Sequence, residues 1–280
     1  MYSCLSPGAI GVKVASLEDS LNAAQIGGFG GVEISPAEIA ERVKRDGVTS
    51  IVEMFEKSGV KPGGFGLPVD WRGDEAKWRQ DLERLPELAE AAASIGCTRT
   101  FTWILPGSDS LEYEENRSFH IARFTPVARI LQEFDCSLGL EFIGPKTSLD
   151  HFRFPFIHTS DSMLNMAAEI GDNVGLLLDC WHWYTSHGTI QEIEQLRAEQ
   201  VVYVHVNDAP AGIPVDEQLD NVRALPAQTG VIPIDGFMTA LRSIGYNGPV
   251  TPEPFASELQ NYSSDAERLT VVGSAMKKIM

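Results

Sequence analysis

Eight short apolar runs, separated by longer amphipathic stretches, recur from one end of this chain to the other. They fall at Ala9–Val14, Gly31–Ile34, Pro62–Gly66, Thr98–Ile104, Ser137–Phe142, Val174–Asp179, Val201–Val206 and Gly248–Glu253. Val201-Val202-Tyr203-Val204-His205-Val206 is nearly continuous in aliphatic and β-branched residues, the pattern of a parallel strand covered on both faces. Between the runs the period is helical: Leu269, Val272, Met276 and Ile279 make one apolar stripe at spacings of three and four. Several stretches end at a glycine suited to a left-handed helix stop, namely Gly27, Gly59, Gly96 and Gly245. Eight strand–helix units in series predict an α/β fold, a single (β/α)8 TIM barrel over residues 1–280, a length that suits a barrel of about 250 residues. An open doubly wound sheet would instead need a glycine-rich turn after an early strand. Gly27, Gly28, Gly30 and Gly31 stand before one.

Charge narrows the partners. Lys and Arg number 22 against 39 Asp and Glu, a net charge of −17. Such a surface repels polyphosphate, so neither a nucleic acid nor an anionic membrane is expected as a partner. No apolar run approaches the roughly 20 residues of a membrane span, and the start lacks the basic and apolar regions of a secretory signal. Cys4, Cys97, Cys136 and Cys180 are scattered, with no C-x-x-C pair, and read as reduced, buried thiols of a cytoplasmic protein.

Four consecutive late runs end in groups that an apolar core does not welcome: Glu141, Asp179, His205 (with Asn207 and Asp208 beyond it) and Glu253. Taken singly, each is explained by a helix cap or an ion pair. As a set on neighbouring strands they converge at the C-terminal mouth of a barrel, where like charges raise one another's pKa unless a cation intervenes. One divalent metal ion resolves this; carboxylates suit Mn2+ or Mg2+, and the imidazole also admits Zn2+ or Co2+. The polar stretch Asn207–Asp235, with Pro210, Pro214 and Pro226, reads as a long loop between the last two strands.

Leu140-Glu141-Phe142-Ile143-Gly144, Leu178-Asp179-x-x-His182, Tyr203-Val204-His205-Val206-Asn207-Asp208, Arg223-Ala224-Leu225-Pro226 and Val250-x-x-Glu253 together resemble the sugar isomerase/epimerase group of xylose-isomerase-like TIM barrels. Within it the nearest family is inosose (2-keto-myo-inositol) isomerase, followed by ketose 3-epimerases. The resemblance is densest from Gly139 to Phe255. It implies that Glu141, Asp179, His205 and Glu253 are the metal ligands and that His182 and Arg223 contact substrate. Three departures stand out: Pro226-Ala227-Gln228-Thr229-Gly230 replaces the family's Pro-Gly-x-Gly, Pro252 and Pro254 flank and stiffen Glu253, and Lys146 has no counterpart in the inositol enzymes.

Such a centre suits proton abstraction beside a carbonyl, giving a cis-enediolate, with Glu141 and Glu253 as the catalytic pair that removes and returns the proton. The expected substrate is a small-molecule keto-sugar, cyclitol or keto-glycoside. A 3-keto-glycoside lyase or C-deglycosidase on the same fold is the alternative, with Lys146 as a substrate contact and Trp181–Tyr184 available to stack an aglycone. An abasic-site endonuclease would need more histidines and a basic groove; a non-catalytic sugar-binding barrel would not need the full ligand set. Glu33 is a further candidate substrate contact or a helix cap, and Trp103 an apolar pocket wall or a core residue. His120 and His187 are assigned to a helix surface and a loop, and Phe152–Ile157 to a packed lid. A homo-oligomer is implied by the resemblance alone.

Overall fold

The computed structural model describes residues 1–280. Eight parallel strands close into a barrel: β1 (Tyr2–Leu5), β2 (Gly31–Val32), β3 in two parts (Lys61–Pro62 and Phe65–Gly66), β4 (Arg99–Ile104), β5 (Ser137–Phe142), β6 (Val174–Asp179), β7 (Val201–Val206) and β8 (Pro249–Pro252). The first part of β3 pairs with β2 and the second with β4. The break lies at Gly63–Gly64, where a Cβ on Gly64 would meet the Tyr203 ring at 2.6 Å. The strand therefore opens around an aromatic side chain inside the barrel. The ring closes through β1, which pairs with both β2 and β8.

Eleven helices surround the barrel or line its rim: α1 (Leu17–Gly27), α2 (Pro36–Asp46), α3 (Val48–Ser58), α4 (Glu75–Ser94), α5 (Tyr113–Gln132), α6 (Lys146–Leu149), α7 (Ser160–Ile170), α8 (Cys180–Thr185), α9 (Ile190–Glu194), α10 (Ile234–Ser243) and α11 (Asp265–Ile279). Ser16, Ser35, Asp74, Thr159 and Ser264 each accept an amide N–H three residues on, which satisfies a donor the helix itself cannot. Helices α1 and α11 meet where a Cβ on Gly273 would lie 1.9 Å from the Gly27 carbonyl oxygen. All four cysteines are free and buried. No helix is long and apolar enough to cross a membrane.

Four sequence expectations change. The first strand is Tyr2–Leu5, whereas Ala9–Val14 holds a short 3-10 turn ended by Gly11 at φ 72°, a conformation no strand accommodates. The stop of α1 falls on Gly28 (φ 69°), because Gly27 is taken up by the crossing with α11. His120 is not on a helix surface: it is buried, its ring 5.0 Å from both Trp71 and Phe156. Trp181 and Trp183 are fully packed in the core, so neither is free to stack a ligand.

Candidate active site

The C-terminal ends of β5 to β8 set the site. In register, Trp103 stands beside Glu141, Asp179 beside His205, and His205 beside Thr251. Glu141, Asp179, His205 and Glu253 each offer a ligand atom, all within 4.8 Å of one another. His205 Nδ1 lies 3.5 Å from Glu141 Oε1 and 3.3 Å from Glu253 Oε2. Yet Glu141 Oε1 and His205 Nδ1 are both buried without a hydrogen bond of good geometry. A buried polar atom left in that state is costly, and a cation is what this donor set fits.

The second constellation is built around Arg223, on the loop after β7. Its guanidinium donates to Asp179 Oδ2 at 2.8 Å, to Asp220 Oδ1 at 2.9 Å and to Glu253 Oε2 at 3.2 Å. It sits between the rings of Trp181 and Phe255, 5.4 and 4.9 Å from their centroids. Phe255 holds a left-handed φ of 40°, a strained backbone for a bulky residue directly after Glu253-Pro254. Asn207 spans the same groups, donating to Asp179 Oδ1.

His182, the third residue of α8, meets an N–H at both ring nitrogens. The Gly144 amide donates to Nδ1 at 3.1 Å, and Arg223 Nη2 lies 3.1 Å from Nε2. A neutral imidazole has one acceptor, so one of those two pairs lacks one. Gly144 is obligatory here, since a Cβ would stand 2.1 Å from the His182 carbonyl oxygen. With Nδ1 accepting from Gly144, the Nε2–H and the Arg223 N–H converge as two donors that a ligand oxygen can satisfy.

Charge states follow from these contacts. Burial pushes the Glu141 carboxyl up to about 7, with His205 opposing and Glu253 adding to the rise. Burial also opposes ionisation of Asp179 and Glu253, but Arg223 and His205 outweigh it and hold both below the ordinary carboxylate range. Burial holds the His182 imidazole down at about 4, so it is neutral at pH 7. His205, also opposed by burial, is raised above its usual range by Glu253 and Glu141.

Above this floor lies a cavity of about 480 Å3, lined by Glu141, His182, Asp220, Arg223 and Glu253 below and by Trp103, Leu105, Phe152 and Phe255 at the mouth. Trp103 is thus at the cavity wall. Glu33 follows β2, accepts from the Tyr203 hydroxyl at 3.1 Å, and lines a second cavity between α1 and α2, while the charges of His205 and Glu253 still act on its carboxyl. Lys146 does not reach the cavity either: its ammonium pairs with Asp150 on the outer face of α6. In the Phe152–Ile157 segment, Phe154–Pro155 pairs with Gly107–Ser108 in a small antiparallel ribbon, and Phe156 and Ile157 are buried. His187 lies in a turn, paired with Asp216. Asp220, Asn221, Leu105 and Phe255 went unnoticed in the sequence. Only Asp220 carried a signal, a carboxylate three residues before Arg223.

A closed (β/α)8 barrel with acidic and imidazole groups gathered at its C-terminal mouth defines a class of barrel enzymes. The chain belongs to the xylose isomerase-like TIM barrel family, whose model matches residues 21–275. An inosose isomerase from Bacillus velezensis is 22% identical over 255 residues, covering 90% of this chain and 88% of its own. A xylose isomerase domain protein from Alicyclobacillus acidocaldarius superposes with a TM-score of 0.86 at 29% identity, over 99% of this chain and 97% of its own. A zinc-bound structure, the IOLI protein, superposes with a TM-score of 0.78 at 20% identity, over 100% of this chain and 98% of its own.

Proposed function

We propose that the protein is a divalent-metal-dependent isomerase or epimerase that moves a proton on the carbon beside the carbonyl of a keto-sugar or cyclitol. The observation that carries this is the pair of buried, unpartnered atoms, Glu141 Oε1 and His205 Nδ1, within a four-residue donor cluster at the barrel mouth. Glu141, Asp179, His205 and Glu253 would hold one ion, Mn2+, Co2+, Mg2+ or Zn2+. A bound ion would supply positive charge beside a substrate carbonyl, where charge develops when the neighbouring C–H is deprotonated. The inosose isomerase relatives and the zinc named for one structural neighbour support the reading.

The rest is done by side chains. Glu141 comes from β5 and Glu253 from the end of β8, so the two carboxylates approach a bound ring from different strands. Their environments push them apart: burial favours the protonated form of Glu141, whereas Arg223 and His205 keep Glu253 ionised. That contrast belongs to the metal-free site; a bound ion would hold both as carboxylates, and Glu141 and Glu253 are the pair placed to exchange a proton with the substrate. His182, neutral and held by Gly144, donates Nε2–H to a substrate oxygen; Arg223 donates beside it. Return of the proton to the opposite face epimerises, and return to the neighbouring carbon isomerises.

The test is proton exchange in D2O with keto-sugars and inososes, with and without added metal. The C–H beside the carbonyl should exchange only when enzyme and metal are both present. Glu253→Gln should lower turnover roughly 10²–10⁴-fold. Turnover with no solvent deuterium in the product would mean a hydride shift and refute the two-glutamate route. Loss of a β-substituent alongside exchange would make the enzyme a keto-glycoside lyase.

A further inference from the structure

The cavity has two chemically distinct halves. Its floor offers Glu141, His182, Asp220, Arg223 and Glu253, enough polar groups to engage the oxygens of one polyhydroxylated ring. Its mouth offers fewer, from Ser148, His151 and Asn221, beside a larger apolar surface. There Trp103 is 44% exposed, Leu105 41% and Phe255 38%, with Phe152 closing the same wall. Large apolar side chains left exposed together at a cavity mouth are an unfavourable use of surface unless a ligand covers them.

Trp103 is also held rigidly. The Arg72 guanidinium stacks on its ring, 3.7 Å from the centroid, and stacks by its other face on Trp71 at 3.9 Å. Arg72 further donates to the Trp103 carbonyl oxygen, and the Trp71 indole N–H donates to Thr102 Oγ1 at 3.1 Å. A three-layer stack tied to β4 at both ends covers part of the indole and presents the rest to the cavity. An aromatic surface fixed before binding loses little conformational freedom when a ligand lands on it.

The mouth discriminates by charge as well. Arg223, the one Lys or Arg among the lining residues, is committed to Asp179, Asp220 and Glu253, and the lining carboxyls are Glu141, Asp220 and Glu253. No lining Lys or Arg is free for a phosphate or carboxylate substituent, and the His151 imidazole is the one other basic side chain there besides the buried His182. We infer that the mouth is a second subsite, with Trp103 as its platform, for an uncharged flat apolar group carried on the sugar or cyclitol ring. The substrate class is then a keto-glycoside with an apolar aglycone, in preference to a free keto-sugar or a sugar phosphate. This rests on the reading of the floor as a sugar site.

The test compares dissociation constants of methyl β-D-glucopyranoside, phenyl β-D-glucopyranoside and glucose 6-phosphate for the metal-loaded full chain, by calorimetry. The phenyl glycoside should bind roughly tenfold tighter than the methyl glycoside, and the phosphate weakest. Trp103→Ala should bring the phenyl-to-methyl ratio close to one, and Trp103→Phe should keep most of it. His182→Ala, which alters only the floor, should weaken both glycosides and preserve the ratio. Phenyl and methyl glycosides of equal affinity would overturn the subsite while leaving the sugar reading intact, as would a ratio unmoved by Trp103→Ala. If neither glycoside binds and no keto-sugar exchanges deuterium, both readings fall. Tightest binding by the phosphate would overturn the charge argument and the subsite with it.

Discussion

Replacing Arg223 with methionine separates the electrostatic role of this residue from that of a metal ion. The Arg223 and Asp179 side chains are 2% and 0% exposed and 2.8 Å apart, and the same guanidinium serves Glu253 and Asp220, each about one-fifth exposed. Removing one partner of a fully buried pair leaves an uncompensated charge, at a cost of about 3–5 kcal/mol. Most of that arises at Asp179, since the other two carboxylates are partly solvated. Unfolding entropy near 2.1 cal/mol/K per residue gives about 0.6 kcal/mol/K for a chain of 280 residues. The metal-free variant should therefore melt about 5–8 °C below the wild type by scanning fluorimetry in EDTA.

Metal should then do more for the variant than for the wild type. At a hundred times its dissociation constant an ion adds about 2.7 kcal/mol to any chain that binds it only when folded. In Arg223→Met the ion also relieves the repulsion that the guanidinium used to relieve, so the melting shift should exceed the wild-type shift and recover most of the loss. By linkage, the variant's metal affinity at the four-residue cluster should rise correspondingly. A metal-free variant that melts within 2 °C of the wild type would refute the estimate. A metal shift no larger than the wild type's would show that the ion and Arg223 do not answer the same charge.

Two further outcomes follow from packing. Burial, with Arg72 adding to it, holds His120 down at about 4, against the ordinary 6.5, so the unfolded chain takes up a proton that the folded one refuses between those values. The His120 contribution is complete above pH 6.5 and falls by up to roughly 3 kcal/mol as pH drops to 4; His120→Phe should make that acid limb of a melting curve shallower, with the like share of His182 remaining, and an unchanged slope would contradict it. Gly273→Ala puts a methyl 1.9 Å from the Gly27 carbonyl oxygen, forcing α1 and α11 apart, and should cost about 1–3 kcal/mol in a urea titration.

What could be read from the sequence was whatever the barrel imposes on every strand. The segments from Ser137 to Val206 were legible because strands buried on both faces must be apolar, and that made Glu141, Asp179 and His205 conspicuous as exceptions. The first strand was misplaced because Tyr2–Leu5 is only four residues long, while Ala9–Val14 is more apolar but interrupted at Gly11. His120 could have been placed: it lies four residues before Phe124 on the stripe that continues through Val127 and Leu131. The apolar mouth had no such signature. Leu105, Asn221 and Phe255 come from three separate loops, and loop residues meet by tertiary closure rather than by any period in the chain.

The loop after β7 shows how such a surface is nonetheless made definite. Asp208 is buried, and its carboxylate accepts four backbone N–H groups, from Ala209, Thr229, Gly230 and Ile232, at 2.8–2.9 Å. One side chain thus ties the start of the loop to its end, and the Asp208–Ala224 bridge pins its middle. Gln218 adds bonds to the Pro210 and Ile213 carbonyl oxygens. Pro226-Ala227-Gln228-Thr229-Gly230 therefore reaches the same anchor without the family's first glycine, Ala227 taking the left-handed φ of 56° itself. Because the loop is anchored at Asp208, and two of the three charge partners of Arg223, Asp179 and Glu253, lie at the ends of β6 and β8, the cavity-facing loop residues other than Asp220 are free to vary without moving the guanidinium. A barrel organised this way changes its ligand through Asn221 and the other mouth residues while the proton-moving floor stays in place.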